Sequence, residues 1–223
     1  MTDWTVLVPI KPWTLSKSRL CMDPESTAVL ARAFAQDVLD AVYGSRHTGA
    51  IIVISAEAEM RTVLREYGAV VLEDRPLLTP DPLNQAVMSG VHWAQRMRAA
   101  SPLAVVPADL ACMTTEDFDD ALDLLGQSDL SYVPDTSGNG TTILASRIPA
   151  QIVPSYGPDS AHQHSMNGAS VSAAHARVLH DIDTLDDLDL AEQLGVGKHT
   201  AAALPHIGER LTFAKLQGGI ARK

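Results

Sequence analysis

Short apolar runs alternate with helix-like segments along the first half of the chain, and this order limits the possible folds. The run at residues 5–10 precedes a segment in which Leu30, Phe34, Val38 and Val42 recur at helical spacing. A strand, a crossover helix and a second strand pack as a right-handed parallel unit. The predicted strands cover residues 5–10, 50–54, 69–72 and 103–110, and the predicted helices cover about 24–43, 55–67 with Ser55 as cap, 83–99 and 115–126.

The second half of the chain continues this pattern less regularly. Two apolar runs flank the glycine-rich residues 135–140, which predicts a hairpin. A last strand is expected just before the acidic residues that begin at Asp181. The remaining predicted elements are the strands 130–134, 142–145 and 176–179, a helix capped by Ser160, and a helix at 185–194 that Gly195 ends.

These elements predict an α/β fold with three layers, in which helices cover both faces of a mostly parallel, twisted sheet. No internal repeat is visible, so one domain over residues 1–195 is the simplest organisation. Residues 196–223 have few large apolar side chains. They are expected to form a loosely packed tail with at most one short helix.

The charge balance excludes some classes of partner. Seventeen basic and 27 acidic residues give a net charge of −10, which argues against a broad nucleic-acid or membrane surface. The chain has no run of about 18 apolar residues, and its first residues show no basic region and cleavage site of the kind expected for a signal peptide. Cys21 and Cys112 lack metal-ligand spacing. These features predict an untargeted cytoplasmic protein with reduced cysteines.

One apolar run ends in a carboxylate. Residues 103–110 are rich in valine and lead through Pro107 to Asp109, as expected for a strand buried on both faces. Ligands of open α/β sheets bind outside the carboxyl ends of the strands, where Asp109 would lie. Alternatively, Asp109 caps a local turn. The run alone does not decide between these interpretations.

Two other charged groups are expected at the same edge of the sheet. A cationic loop follows the first strand, and an acidic pair follows the last predicted strand. Mg²⁺ prefers oxygen ligands and often binds carboxylates together with substrate phosphates, while lysines offset the remaining phosphate charge. The pattern therefore favours magnesium-dependent phosphoryl or nucleotidyl transfer, although the acidic pair could instead be the start of a helix without metal. The residues concerned are Lys11, Lys17, Arg19, Asp109, Asp181 and Asp183.

Two glycine segments could bind a phosphate. In residues 138–142 and 157–160, glycines would let backbone amides approach an anion, and Ser160 adds a hydroxyl group. Each segment could also be an ordinary turn. His162 and His164 alternate on a predicted helix without a thiolate nearby, so surface histidines are expected rather than a zinc site.

Taken together, these motifs resemble the CofC/FbiD family, the guanylyltransferases of coenzyme F(420) biosynthesis. The resemblance spans about residues 5–195. It implies a nucleotide-diphospho-sugar transferase-like (GT-A, Rossmann-like) nucleotidyltransferase fold. It also implies transfer of GMP from GTP to a small phosphorylated carboxylic acid, with release of diphosphate. The motifs are Val8-Pro9-Ile10-Lys11-Pro12, Lys17-Ser18-Arg19-Leu20, Leu83-Asn84, Pro107-Ala108-Asp109-Leu110, Gly140-Thr141-Thr142, Tyr156-Gly157-Pro158-Asp159-Ser160 and Asp181-Ile182-Asp183-Thr184.

The family's functional residues carry over to matching positions. The resemblance implies that Thr142, Gly157 and Ser160 bind phosphoenolpyruvate and that Asp109, Asp181 and Asp183 bind Mg²⁺. It further implies that Lys17 and Asp109 are catalytic. Nucleotide binding is assigned to Lys11, Lys17, Arg19 and Asn84.

Several functional alternatives remain open. The acceptor could be phosphoenolpyruvate, 2-phospho-L-lactate or 3-phosphoglycerate. A molybdopterin-type or sugar-phosphate nucleotidyltransferase would share the fold, but the loop after the first strand lacks the glycines usual there. A nucleotide-binding protein without catalysis is a third alternative. The oligomeric state is also open, with a homodimer as one arrangement.

Overall fold

The computed structural model describes residues 3–13, 17–57, 60–73 and 81–208. The strands are β1 Trp4–Ile10, β2 Thr48–Ser55, β3 Val70–Glu73, β4 Leu103–Val105, β5 Leu130–Pro134, β6 Thr141–Ser146 and β7 Ser170–Val171. The helices are α1 Pro24–Gly44, α2 Met60–Glu66, α3 Pro82–Met97, α4 Thr115–Leu125, α5 Ser160–Met166, α6 Ala176–Leu179, α7 Leu185–Leu194 and α8, which covers residues 198–208.

The strands form one mixed, seven-stranded sheet in the order β3-β2-β1-β4-β6-β5-β7. The pairs β1–β2, β1–β4, β2–β3 and β5–β7 are parallel, whereas β4–β6 and β5–β6 are antiparallel. The predicted hairpin is confirmed as β5 and β6. Because β6 pairs with β4, the turn of this hairpin lies near the carboxyl end of β4.

The sheet is covered on both faces, as predicted. One apolar cluster packs α1, α2, α4 and α6 against one face of the sheet, through side chains such as Val8 and Phe118. A second cluster packs α3 and the start of α5 against the opposite face, through Leu7 and Val105 among others. Adjacent residues of β1 alternate between the two clusters, because successive side chains of a strand point to opposite faces. The three-layer α/β architecture is therefore confirmed.

Local capping explains where several helices begin. The Asp23 carboxylate accepts a hydrogen bond from the Ser26 amide at 3.0 Å, and Pro24 opens α1. Thr114 and Thr184 form capping boxes with Asp117 and Asp187 at the starts of α4 and α7. Among the described residues, no helix is long and apolar enough to cross a bilayer.

Three local predictions are wrong. Residues 176–179 form α6 instead of a last strand, and the sheet edge beside β5 is occupied by β7. The His175 ring caps α6 by accepting a hydrogen bond from the Arg177 amide at 3.3 Å. Ser55 ends β2 and caps no helix, since α2 begins at Met60. Ser160 is the first residue of α5, and the cap position belongs to Asp159.

The expectation of a loosely packed tail is wrong for residues 196–208. Helix α8 buries Ala203 and Ile207 in a third apolar cluster, together with Phe34 of α1 and Leu188 of α7. The buried Asp37 carboxylate accepts hydrogen bonds from the amides of His199 and Thr200, at 2.8 and 2.9 Å. This side chain of α1 therefore caps a helix more than 150 positions later in the chain. Residues 209–223 lie outside the described residues.

Substitution of this cap should destabilise the protein. Asp37→Ala leaves two amides at the start of α8 without their acceptor, at an expected cost of about 1–3 kcal/mol in the free energy of unfolding. A denaturant titration of the variant beside Asp120→Ala measures this cost, because Asp120 is exposed on α4. An Asp37→Ala protein as stable as the Asp120→Ala control would contradict the capping role.

Candidate functional site

A pocket lies at the carboxyl ends of β1 and β4. Its floor includes Pro9 and Ile10 at the end of β1 and residues 107–109 after β4. Further lining residues come from the loop after β1, from α1 and α3, and from the segments around Tyr156 and Asp183. Ligands of open α/β sheets bind at this position, outside the carboxyl ends of the strands.

Lys17 joins two of the acids across this pocket. Its ammonium donates hydrogen bonds to Asp109 Oδ2 at 2.7 Å and to Asp183 Oδ1 at 2.8 Å. The Lys17 side chain is only 10% exposed, so solvent screens these ion pairs weakly. Lys17 also has a φ of 54°, a conformation that costs a non-glycine residue about 1–2 kcal/mol. The backbone strain is maintained at the point where the side chain enters the acidic cluster.

Asp181 completes a group of three carboxylates. Oxygen atoms of Asp109, Asp181 and Asp183 lie within 4.8 Å of one another. Although α6 instead of a strand leads to Asp181, the Ile182 amide donates to the Asp109 carbonyl at 3.3 Å and holds the two segments together. The cluster could hold a metal ion. Asp109 Oδ1 supports this fit, because it is buried and has no hydrogen-bond partner among the described residues.

The electrostatics of the cluster would favour a bound cation. Burial, followed by the charges of Asp109 and Asp183, raises the pKa of Asp181 to about 7. Burial opposes ionisation of Asp183 as well, but Lys17 outweighs it and the pKa of Asp183 is lowered. Burial likewise opposes the charge of Lys17, yet the two carboxylates raise its pKa. Lys17 is thus charged at neutral pH. At Asp181 the attraction of Lys17 is outweighed by burial and by the two neighbouring carboxylates.

The other predicted cations lie at the rim. Arg19 Nη1 is 3.4 Å from Asp183 Oδ2, and its side chain is 76% exposed. Lys11 is exposed, lines the pocket and contributes to the lowered pKa of Asp183. The structure therefore brings the cationic loop and the three acids to one place. Residues 14–16 of this loop lie outside the described ranges.

Asn84 contacts the backbone of Tyr156, a residue that lines the pocket. Its Oδ1 accepts a hydrogen bond from the Tyr156 amide at 2.7 Å, and its Nδ2 donates to the Tyr156 carbonyl at 2.8 Å. Nδ2 also contacts both carboxylate oxygens of Asp81, the cap of α3. Asn84 thus fixes the backbone of a pocket-lining residue, and a direct contact with nucleotide remains a prediction.

The three predicted acceptor residues lie on adjoining segments. Thr142 is at the start of β6, and the Ala161 amide ties the first turn of α5 to Asn139, at 3.0 Å from its carbonyl. Ser160 and Thr142 are buried, and the Thr142 hydroxyl donates to the Val133 carbonyl at 3.4 Å. Gly157 has a φ of 135°, and a Cβ there would meet no atom within 4 Å. Of these segments, only the one containing Tyr156 lines the pocket beside Asp109.

The expectation that both histidines are surface residues is wrong for His164. His162 is exposed, but His164 is only 1% exposed and lies between β6 and the loop before α5. Burial lowers the pKa of His164 to about 4, so the ring is neutral at pH 7. Ser160, Ala161 and His164 form one buried face of α5. This helical spacing is the sequence signal that could have identified His164 as buried.

Comparison with known proteins gives consistent matches. The family model "Guanylyl transferase CofC like" matches residues 4–216. A phosphoenolpyruvate guanylyltransferase from Streptomyces scabiei (strain 87.22) is 34% identical over 208 residues, which cover 90% of this chain and 95% of the relative. Phosphoenolpyruvate guanylyltransferase 2 from Rhodococcus jostii (strain RHA1) is 32% identical, covering 91% of this chain and 90% of the relative.

A solved structure confirms the fold. A protein from Desulfovibrio desulfuricans G20, described as a nucleotide-diphospho-sugar transferase, superposes with a TM-score of 0.65 at 15% identity. The match covers 96% of this chain and 99% of that protein. At this identity the similarity concerns architecture only, and it confirms the predicted nucleotide-diphospho-sugar transferase-like fold.

Proposed function

Because the chain belongs to the CofC-like guanylyl transferase family, we propose that it transfers GMP from GTP to phosphoenolpyruvate in coenzyme F(420) biosynthesis. A phosphate oxygen of the acceptor attacks the α-phosphorus of GTP, and the bond to the bridging oxygen of the β-phosphate breaks. The products are enolpyruvoyl-2-diphospho-5'-guanosine and diphosphate. The names of the relatives support the acceptor, since both act on phosphoenolpyruvate.

The contact of Lys17 with Asp109 and Asp183 is the observation that supports this proposal most directly. GTP and the acceptor are both anions, so transfer of GMP between them requires positive charge at the reacting centre. The protein as a whole has a net charge of −10, so this positive charge must be local. Three cations nevertheless lie in or beside the pocket, namely Lys11, Lys17 and Arg19. We assign the triphosphate to Lys17, Lys11, Arg19 and Asn84, the last of which bonds the backbone of the pocket-lining Tyr156.

Asp109, Asp181 and Asp183 would hold Mg²⁺, and their carboxylate oxygens are the ligands that this ion prefers. Bound there, the ion would stabilise negative charge that develops on the triphosphate. Lys17 lowers the pKa of Asp183 and holds the Asp109 and Asp183 carboxylates beside each other through its two hydrogen bonds. The acceptor phosphate, with a second pKa of about 6, is already an anion at neutral pH, so the residues need only align it.

Product analysis tests the proposed reaction. The purified protein is incubated with GTP, Mg²⁺ and an equal mixture of phosphoenolpyruvate, 2-phospho-L-lactate and 3-phosphoglycerate, and the products are identified by mass spectrometry with release of diphosphate measured in parallel. We expect the guanylylated enolpyruvate as the main product. A main product formed from 2-phospho-L-lactate or 3-phosphoglycerate instead, or no diphosphate release with any of the three acceptors, would contradict the proposal.

We place the phosphorylated acid against Thr142, Gly157 and Ser160. Thr142→Val and Ser160→Ala should each remove a hydrogen bond to a charged group, worth about 1.5–3 kcal/mol. The apparent constant for phosphoenolpyruvate should rise about ten-fold or more for each substitution, with little change for GTP. Gly157→Ala should have the same effect, because the new methyl group would occupy the open space at this backbone.

A control variant and melting curves distinguish weaker acceptor binding from loss of the folded structure. Ser165→Ala alters an exposed serine on the same helix and should leave acceptor saturation unchanged. A melting curve for each variant identifies loss of stability, which is expected for Gly157→Ala because of its φ of 135°. Folded Thr142→Val and Ser160→Ala proteins with wild-type acceptor saturation would remove these residues from the acceptor site.

The location, partners and oligomeric state of the protein are further proposals. We retain as proposals a cytoplasmic location and partners limited to GTP and the phosphorylated acid, without nucleic acid or membrane. Homodimer formation remains a proposal as well, and light scattering at several protein concentrations would test it.

A further inference from the structure

His164 uses both ring nitrogens inside the protein. The Ser155 amide donates to Nε2 at 3.0 Å, so this nitrogen must be the acceptor. The neutral ring then carries its proton on Nδ1, which donates to the Thr141 hydroxyl at 2.9 Å. The contacts of His164 therefore determine its tautomer.

These two bonds join the segments that carry the proposed acceptor residues. Thr141 precedes Thr142 on β6, and Ser155 lies two residues before Gly157. His164 itself lies one helical turn after Ser160 on α5. One imidazole thus links three separate pieces of chain, each of which contributes one residue to the proposed acceptor site.

Ring packing reinforces the link. The Tyr156 and His164 ring centroids lie 5.3 Å apart in an edge-to-face arrangement, and Tyr132 lies at 6.2 Å. The Tyr156 side chain reaches the end of β4, where its hydroxyl donates to the Val105 carbonyl at 3.4 Å. The imidazole is therefore connected, through one side chain, to the strand that leads to Asp109.

We propose that His164 is a positioning residue for acceptor binding, which sets the spacing of the Thr142, Gly157 and Ser160 segments through its bonds to Thr141 and Ser155. This inference rests on the proposed acceptor site. Because a misplacement of about 1 Å can cost a reaction up to about a hundred-fold, loss of the link should weaken use of the acceptor. The pocket around Lys17 does not include His164, so GTP binding should change little.

Saturation kinetics with phosphoenolpyruvate and GTP test the proposal. His164→Ala should raise the apparent constant for phosphoenolpyruvate roughly ten-fold, with the constant for GTP within about two-fold of wild type. His164→Gln retains an acceptor for the Ser155 amide and should recover part of the loss. His162→Gln, on the exposed side of the same helix, should behave as wild type.

The possible outcomes are distinct. A folded His164→Ala protein with a wild-type acceptor constant overturns the proposal, as does an equal rise for GTP and acceptor, which would indicate a purely structural role. If His164→Ala does not fold, Thr141→Val removes only the hydroxyl partner, and an unchanged acceptor constant in that variant overturns the proposal. Failure of the wild-type protein to transfer GMP to any acceptor would instead overturn the proposed function.

Discussion

Asp109→Asn should lower turnover roughly 10²–10³-fold, the range found when one preorganised electrostatic contact at a reacting centre is removed. Asn has nearly the same shape, so the loss would come from charge. The substitution takes one negative charge from the three-acid cluster and places an amide beside the Lys17 ammonium, which now donates to Asp109 Oδ2. It also replaces the buried Oδ1 that has no partner among the described residues.

Titration with Mg²⁺ distinguishes this effect from misfolding. The variant should need more Mg²⁺ for half-maximal rate than wild type does, and its melting temperature should not fall, since one carboxylate fewer means less repulsion in the cluster. Asp189→Asn, an exposed acid on α7, is the matched control and should keep wild-type kinetics. Wild-type turnover with an unchanged Mg²⁺ requirement would exclude Asp109 from the reaction.

Long segments with a clear hydrophobic pattern predict the correct helices and strands, whereas the short segment at residues 176–179 does not. The strand predicted within residues 103–110 is present and lies between two helical layers, but β4 covers only Leu103–Val105, and Asp109 lies in the turn that follows it. Residues 176–179 are too few to distinguish a strand from a helical turn, and Arg177 of this segment pairs with Asp117 at 2.7 Å, a contact that local sequence does not reveal. The sequence around α8 does not predict a packed helix, because the side chain that caps it, Asp37, lies far away in the chain.

The prediction that Asp181 and Asp183 lie near Asp109 depends on a secondary-structure assignment that is wrong. The sequence predicts that Asp181 and Asp183 follow a strand at residues 176–179, but these residues form α6, and the hydrogen bond from the Ile182 amide to the Asp109 carbonyl brings the acids to the pocket instead. The alternation of His162 and His164 predicts surface histidines, but helical spacing places His164 on the buried face of α5 with Ser160. Partners such as Thr141 and Ser155 depend on how the loop folds back onto β6, which residue spacing cannot supply.

Lys17→Ala should lower kcat/KM for GTP by roughly ten- to a hundred-fold, as expected from loss of a charge-assisted contact worth about 1.5–3 kcal/mol. The ammonium is the buried positive charge of the pocket, and its removal leaves Asp109, Asp181 and Asp183 facing one another. The effect should shrink at high salt, because screening weakens the attraction between a cation and the triphosphate. Lys198→Ala is the matched control, since Lys198 also pairs with an aspartate, at 2.8 Å, but is 72% exposed.

Stability gives a second, independent measurement of the same variant. Lys17 lowers the pKa of Asp183, so this ion pair contributes stability above the unfolded pKa of about 4 and loses it as pH falls through the folded value. The variant should therefore melt below wild type at pH 7, with a difference that narrows toward pH 3. Mg²⁺ should raise the melting temperature of Lys17→Ala more than that of the wild-type protein. In the wild type Lys17 offsets the repulsion among the three carboxylates, and in the variant only an added cation could do so. A variant with wild-type GTP kinetics at low salt and no added response to Mg²⁺ would show that Lys17 serves neither the nucleotide nor the acids.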